Sequence, residues 1–77
     1  MAEKQFGSPN WKPLEKLVGP RGCEGFMWMW REAGMEFYKH IRTRRYLLLD
    51  PAGRCYRRSE SGLELADVQA ELELVTK

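Results

Sequence analysis

The sequence predicts an α+β fold, in which a three- to four-stranded antiparallel β-meander lies between a short N-terminal helix and a longer C-terminal helix. Three observations predict this order. Short segments rich in aromatic and aliphatic residues occupy the middle of the chain. Turn-forming combinations of Gly, Pro and Asp separate these segments. Apolar residues at helical spacing occur on both sides of them.

The chain is predicted to begin with a flexible arm over residues 1–9, which shows no apolar periodicity. Residues 10–77 then form one small α+β domain, since 77 residues allow no more than one. A short helix opens this domain, because Asn10 can cap the free amides of its first turn. The Gly-rich stretch at 19–25 ends the helix at a Gly-Pro pair and leads into the sheet.

Four stretches in the middle of the chain are predicted to be strands. Gly34 allows a tight turn between the first two, because glycine adopts the left-handed backbone conformations that such turns need. Asp-Pro-Ala-Gly at 50–53 fits a type I turn between the last two. Sequential strands are usually neighbours, so the four form a meander. The predicted strands are 26–31, 35–41, 45–49 and 54–58.

The last predicted element is a helix over 63–75. The Ser-Glu-Ser-Gly stretch at 59–62 breaks the strand pattern. Beyond it, apolar residues recur at intervals of three and four, which is typical of a helix with one buried face. These apolar residues are Leu65, Val68, Leu72 and Val75.

Charge is distributed unevenly along the chain. Residues 21–58 carry nine Lys or Arg against four Asp or Glu, whereas residues 59–77 carry five acidic residues against one Lys. The net charge of the whole chain is only +2. A local basic excess of this kind favours binding of nucleic acid or phosphate.

The basic excess is concentrated in one predicted hairpin, where tyrosines lie among the arginines. Arginine binds carboxylates and phosphates, and aromatic rings supply apolar contact area, so this combination is typical of binding surfaces. We predict a non-enzymatic binding or interaction protein that uses this basic aromatic surface of the sheet and hairpin. The candidate surface comprises Tyr38, His40, Arg42, Arg44, Arg45, Tyr46, Tyr56, Arg57 and Arg58.

The partner on this surface has three possible identities. A protein is slightly favoured. Nucleic acid is an alternative, since Lys and Arg neutralise phosphates and bases stack on aromatic rings, although no nucleic-acid-binding motif is present. Self-association is a second alternative, since strict alternation in the Phe-Met-Trp-Met-Trp stretch at 26–30 places Phe26, Trp28 and Trp30 on one face and two methionines on the other. The expected state is a monomer or a weak homodimer.

No enzyme, cofactor or metal function is predicted. Cys23, His40 and Cys55 are separated by 17 and 15 residues, and zinc sites need four ligands that usually come in closely spaced pairs. No pair of carboxylates has the contrasting surroundings that acid–base catalysis needs.

The expected location is the cytoplasm, without contact with a membrane. The first ten residues are polar and carry no secretory signal. The longest apolar run, 26–30, is far too short to span a bilayer. The cysteines are therefore expected to be free thiols rather than a disulfide.

Overall fold

The computed structural model describes residues 3–77 and contains two helices and five strands. The strands form one antiparallel sheet in which their spatial order follows the sequence. The predicted α+β class and the meander are confirmed. The elements are α1 (Lys12–Cys23), β1 (Phe26–Glu32), β2 (Met35–His40), β3 (Tyr46–Leu49), β4 (Cys55–Ser59), β5 (Gly62–Ala66) and α2 (Val68–Thr76).

The sheet has five strands rather than three or four, because the start of the predicted C-terminal helix is a strand. β5 pairs with β4 along its whole length, from Ser59–Gly62 to Cys55–Ala66. The Leu-Glu-Leu sequence in β5 has an apolar–polar alternation that also fits helical spacing, and pairing with β4 decides between them. Asp67 then caps α2, since its carboxylate accepts a hydrogen bond from the Ala70 amide at 2.9 Å.

The first helix bends at the point where it was predicted to end. Gly19 has φ 79° and ψ 167°, which no helical residue adopts, so the helix is interrupted at the expected place. Because the first amides of a helix have no partner within the helix, Pro20 can begin one further turn, which reaches Cys23. Before the helix, the Asn10 side chain accepts a hydrogen bond from the Lys12 amide at 3.2 Å.

Both helices pack on one side of the sheet, which we call the helix-covered face. Apolar side chains of α1 and α2 contact this face, and Leu14, Tyr38, Leu49 and Cys55 are completely buried. Burial of such residues supplies most of the folding free energy of a small domain. Among residues 3–77, no helix is long and apolar enough to cross a bilayer. The buried residues of this core are Leu14, Phe26, Tyr38, Leu47, Leu49, Cys55 and Val75.

The other side of the sheet, which we call the open face, has a second apolar cluster. Met35, Phe37 and Leu48 are its buried members, and Met29, Trp30 and Tyr56 pack against them half-buried. No helix side chain within residues 3–77 belongs to this cluster. The apolar residues of the open face are therefore buried mainly by their neighbours on the same sheet.

A β-bulge in β1 overturns the predicted alternation of the aromatic residues. Trp28 lies opposite Tyr38, but Trp30 lies opposite Phe37, so Met29 is an extra residue between them. An inserted residue reverses the side to which the following side chains point. Trp28 consequently packs in the helix-covered core, whereas Trp30 lies on the open face.

The β1–β2 turn contains a strained alanine. Glu32 pairs with Met35, which leaves Ala33 and Gly34 as a two-residue turn with φ of 54° and 77°. Positive φ at both positions is the type I′ turn that hairpins prefer. Glycine adopts this conformation freely, but alanine is destabilised in it by steric contacts of its Cβ atom.

Replacing Ala33 with asparagine, which tolerates the left-handed conformation, should raise the free energy of unfolding by about 1 kcal/mol. Urea denaturation monitored by tryptophan fluorescence measures this change. Ala52→Asn serves as the control, because Ala52 lies in a turn but has no positive φ. Equal effects of the two substitutions would contradict the explanation by backbone strain.

Part of the predicted N-terminal arm lies beside β1. Gln5 and Arg31 exchange two backbone hydrogen bonds, at 2.7 and 2.9 Å, and form an isolated antiparallel bridge. The next residue, Phe6, has its ring 6.3 Å from the ring of Trp30. The arm therefore covers one point on the outer edge of the sheet and reaches the open face.

Candidate functional site

The structure divides the predicted binding residues among the core, the β2–β3 turn and the open face. Tyr38 belongs to the core, where it is fully buried. Its hydroxyl donates a hydrogen bond to the Asn10 carbonyl at 2.5 Å, and its ring lies 5.5 Å from that of Trp11. Tyr38 thus joins α1 to the sheet and cannot contact a partner.

Two of the predicted arginines lie against the C-terminus of α2. Arg45 donates from its guanidinium to the Leu74 carbonyl at 2.6 Å, and Arg42 donates to the Thr76 carbonyl. The Thr43 hydroxyl donates to the carbonyl between them. The last carbonyls of a helix lack partners within the helix and carry partial negative charge, which cations stabilise. The last turn of α2 contains no basic residue, and the β2–β3 turn supplies this charge.

We expect the double substitution Thr43→Val and Arg45→Met to lower the free energy of unfolding by about 2 kcal/mol, because it leaves two helix carbonyls without these donors. Chemical denaturation measures the loss, and far-ultraviolet circular dichroism reports fraying of α2. Arg44→Gln is the matched control, since Arg44 is an exposed residue of the same turn. An unchanged stability of the double variant would contradict the capping role.

His40 holds the same turn in place. Its Nδ1 atom accepts hydrogen bonds from the amides of Arg42 and Thr43, both at 3.2 Å. Its ring packs edge-on against Phe26 with 5.0 Å between centroids. Partial burial, and secondarily the charge of Arg42, lower the pKa of His40 below the ordinary 6.5. The imidazole is therefore a neutral acceptor in the folded protein at neutral pH.

The lowered pKa of His40 predicts a loss of stability in mild acid. The unfolded chain binds the proton more readily, so the contribution of His40 is complete above its unfolded pKa of 6.5 and is lost as pH falls through its folded pKa. Urea unfolding at pH 7.5, 6.5 and 5.5 measures this slope. His40→Asn keeps an acceptor without the titration and should have a shallower slope; identical slopes would contradict the assignment.

The open face retains the other two predicted tyrosines, Tyr46 and Tyr56, in an aromatic cluster centred on Trp30. The Trp30 ring stacks on Phe37 at 5.1 Å and is tilted against Tyr46 at 5.7 Å. Tyr46 is 39% exposed, whereas Phe37 is only 2% exposed. Trp30 and Phe37 were not among the predicted binding residues. The bulge in β1 brings Trp30 to this face, whereas Phe37 lies here by the alternation of β2.

Three cations surround this aromatic cluster, and each lies over a ring. Lys4 Nζ is 4.2 Å from the centre of the Trp30 ring, Lys39 Nζ is 5.6 Å from Tyr46, and the Arg58 guanidinium carbon is 5.5 Å from Phe37. Such cation–π contacts stabilise the charge only weakly at an exposed site. Within residues 3–77, none of the three forms an ion pair within 4 Å, so their charges remain available to a ligand.

Two arginines near or in β4, Arg54 and Arg57, are paired with carboxylates. Arg57 donates to Glu64 across the β4–β5 pair at 2.9 Å. Arg54 donates to Asp50 at 2.8 Å within the turn that precedes β4. Arg44 is an exposed residue of the β2–β3 turn, and Arg58 lies over Phe37 on the open face without an ion pair among residues 3–77.

A cleft opens in the sheet next to Arg58, because pairing of β3 with β4 ends at Leu48–Tyr56. Beyond this point, β4 is paired only with β5. The next hydrogen-bonded pair between β3 and β4 would be Tyr46 with Arg58, and this pair is not formed. The cleft has a volume of about 380 Å³. Rings and aliphatic groups form most of its wall, and Arg57, Arg58 and Glu71 supply the charges.

The thiols lie away from this face. Cys23 is half-buried and Cys55 is buried, and both are free. Burial raises the pKa of Cys55 to about 11, which keeps it protonated at neutral pH. In the part of the chain that the structure describes, no three His, Cys, Asp or Glu side chains are grouped so that they could hold a metal ion.

Comparison of the chain with protein-family models, with curated proteins and with solved structures finds no match. The geometry and charge of the open face are accordingly the basis for any assignment of function.

Proposed function

We propose that this protein is a non-enzymatic binding protein whose open face holds an acidic segment of a protein partner. The observation that supports the proposal is the aromatic cluster on the face without a helix, surrounded by the unpaired cations Lys4, Lys39 and Arg58. Aromatic anchors inside a charged rim are typical of protein-binding surfaces. The cytoplasm is the proposed location, which two free cysteines support.

The charge of this rim argues against self-association through the open face. A face-to-face dimer would bring the same three cations of two copies together, and like charges at an interface are unfavourable. An acidic segment would instead pair with them. The proposed state of the free protein is therefore a monomer.

The packing of the rings favours a protein segment over single-stranded nucleic acid. Bases stack on ring faces, but here Trp30 is stacked on Phe37 and covered by Lys4. Of the rings around Trp30, Phe6 and Tyr46 are the most exposed, at 69% and 39%, and Lys39 lies over the Tyr46 ring. Side chains of a peptide can use the ring edges and the apolar surface between strands without needing free ring faces.

Fluorescence anisotropy with labelled ligands tests the proposal. The ligands are a peptide of alternating Phe and Glu, a charge-reversed peptide of alternating Phe and Lys, and an oligothymidine of similar length. We expect only the acidic peptide to bind, with an affinity that falls as salt increases. Tighter binding of the oligothymidine, or no preference between the two peptides, would overturn the proposal.

Charge-reversal variants localise this binding. Lys39→Glu and Arg58→Glu should each weaken binding of the acidic peptide about tenfold, because each replaces an attractive charge with a repulsive one. Lys16→Glu changes the net charge equally but lies on α1, which packs on the opposite face. This substitution should change the affinity by less than about twofold at moderate salt, since distant charges are screened.

A further inference from the structure

We infer that the cleft between β3 and the β4–β5 hairpin binds one aromatic side chain of the partner together with a neighbouring carboxylate. This inference rests on the proposed function and specifies which part of the acidic segment is recognised. It follows from the size of the cleft, from its walls, and from Arg58, the cation in its lining that forms no ion pair within residues 3–77.

The size of the cleft selects one side chain. Its volume of about 380 Å³ is at the lower end of the range for ligand pockets, which is roughly 300–1,000 Å³. One large ring and the adjoining main chain fit a space of this size, whereas a folded surface does not enter it. The pocket therefore anchors an extended segment by one residue.

The walls of the cleft favour an aromatic side chain. Trp30, Tyr46 and Tyr56 line it together with the buried Leu48. Aromatic pairs in tilted or offset contact stabilise an interface beyond what their buried area provides. An aromatic residue of the partner can make several such contacts at once.

The charges of the cleft select a carboxylate next to that ring. Arg57 is held by Glu64 at 2.9 Å, but Arg58 has no carboxylate within ion-pair distance among residues 3–77. A guanidinium binds a carboxylate through two parallel hydrogen bonds. Glu71 also lines the cleft and repels a second acidic group at its own position, so the binding is oriented.

The missing backbone pair between Tyr46 and Arg58 leaves main-chain groups that face the cleft. The His40 amide donates to the Arg45 carbonyl, which shows that the backbone of Arg45 faces β2. Backbone groups alternate in direction along a strand, so those of Tyr46 face β4, across the gap from Arg58. A peptide in the cleft can accept and donate hydrogen bonds there, as peptides that add to a sheet do.

Short peptides test this inference by isothermal titration and by amide chemical shifts. The probes are acetyl-Glu-Phe-Glu-amide, acetyl-Glu-Ala-Glu-amide and acetyl-Lys-Phe-Lys-amide. We expect the first to bind at least about tenfold more tightly than either of the others, with the largest shifts at the amides of Tyr46 and Arg58. Tyr46→Ala and Arg58→Gln should each weaken it about fivefold or more.

Leu65→Ala is the matched control, because Leu65 is a 64% exposed residue of β5 that does not line the cleft. It should leave binding of the tripeptide unchanged. Arg58→Gln replaces an exposed side chain, so it reports on binding even if Tyr46→Ala perturbs the fold.

The outcomes separate this inference from the proposed function. Equal affinities for the Phe and Ala tripeptides, or full binding by Arg58→Gln, would overturn the aromatic pocket while the longer acidic peptide still bound the open face. Absence of binding by the longer acidic peptide as well would overturn both.

Discussion

Replacing Asp50 with alanine should lower the free energy of unfolding by about 3 kcal/mol, because its carboxylate organises the whole β3–β4 turn. One oxygen accepts hydrogen bonds from the amides of Ala52 and Arg54, at 3.0 and 2.9 Å. The other accepts from the Arg54 guanidinium at 2.8 Å and from the Tyr56 hydroxyl at 3.1 Å. Because the residue is only 8% exposed, water replaces these bonds incompletely.

Urea denaturation of Asp50→Ala and of Glu64→Gln compares this site with an exposed ion pair. The Arg57–Glu64 pair is open to solvent, so Glu64→Gln should cost less than about 1 kcal/mol. Similar losses in the two variants would contradict the role of Asp50.

The contribution of Asp50 should also depend on pH. Burial alone would raise its pKa, but hydrogen bonds from Arg54 and Tyr56 outweigh burial and lower the pKa below 3.8. The folded carboxylate therefore binds a proton less readily than the unfolded one, and its stabilisation is complete above pH 3.8 and lost as pH falls through the folded pKa. Asp50→Ala should lack this part of the acid dependence.

Replacing Glu36 with glutamine should lower the free energy of unfolding by about 3 kcal/mol, because it breaks an ion pair whose carboxylate is almost completely buried. Glu36 is 1% exposed and accepts hydrogen bonds from the Trp28 indole at 2.7 Å and from the Arg31 guanidinium at 2.6 Å. The amide nitrogen of glutamine faces one of these donors, so one donor is left without an acceptor.

Two further variants test the assignment of this loss to Glu36. Trp28→Phe removes the indole donor together with part of the packed ring and should cost about 1–2 kcal/mol. Glu73→Gln removes a carboxylate that is 73% exposed and lies 3.9 Å from Lys77, and it should be nearly neutral. A Glu36→Gln variant as stable as Glu73→Gln would contradict the account.

The parts of the fold that follow from local chemistry were predictable from the sequence. Asp50 and Gly53 form the expected turn, with the Gly53 amide donating to the Asp50 carbonyl at 2.9 Å. Gly19 interrupts α1 where expected, and the predicted strand at 45–49 is present as β3.

Features that depend on pairing between distant segments were not predictable in the same way. Nothing in the local sequence marks Met29 as a bulge, since residues 26–30 are all apolar and either register buries apolar surface. The sequence of β5 could not be distinguished from a helix, because its leucines fit helical spacing as well as strand alternation. The bulge and β5 both depend on which backbone groups of neighbouring strands form hydrogen bonds with each other.

The crowding of arginines also has a different explanation from the predicted one. Arg42 and Arg45 stabilise the C-terminus of α2, which lies about 30 residues away in sequence. Patterns among neighbouring residues cannot reveal this contact. The absence of a basic residue in the last turn of α2 does indicate that a cation from elsewhere can stabilise its C-terminus. Arg58 and Tyr46 retain the proposed binding role.

Mapping the acidic peptide by two-dimensional amide spectra of the labelled protein is the most direct test of the open face as the binding surface. We expect chemical shifts to change most in β3 and β4 and to change little in α1 and in the β2–β3 turn. The largest changes in that turn, where arginines cap α2, or the absence of any saturable change would contradict this expectation.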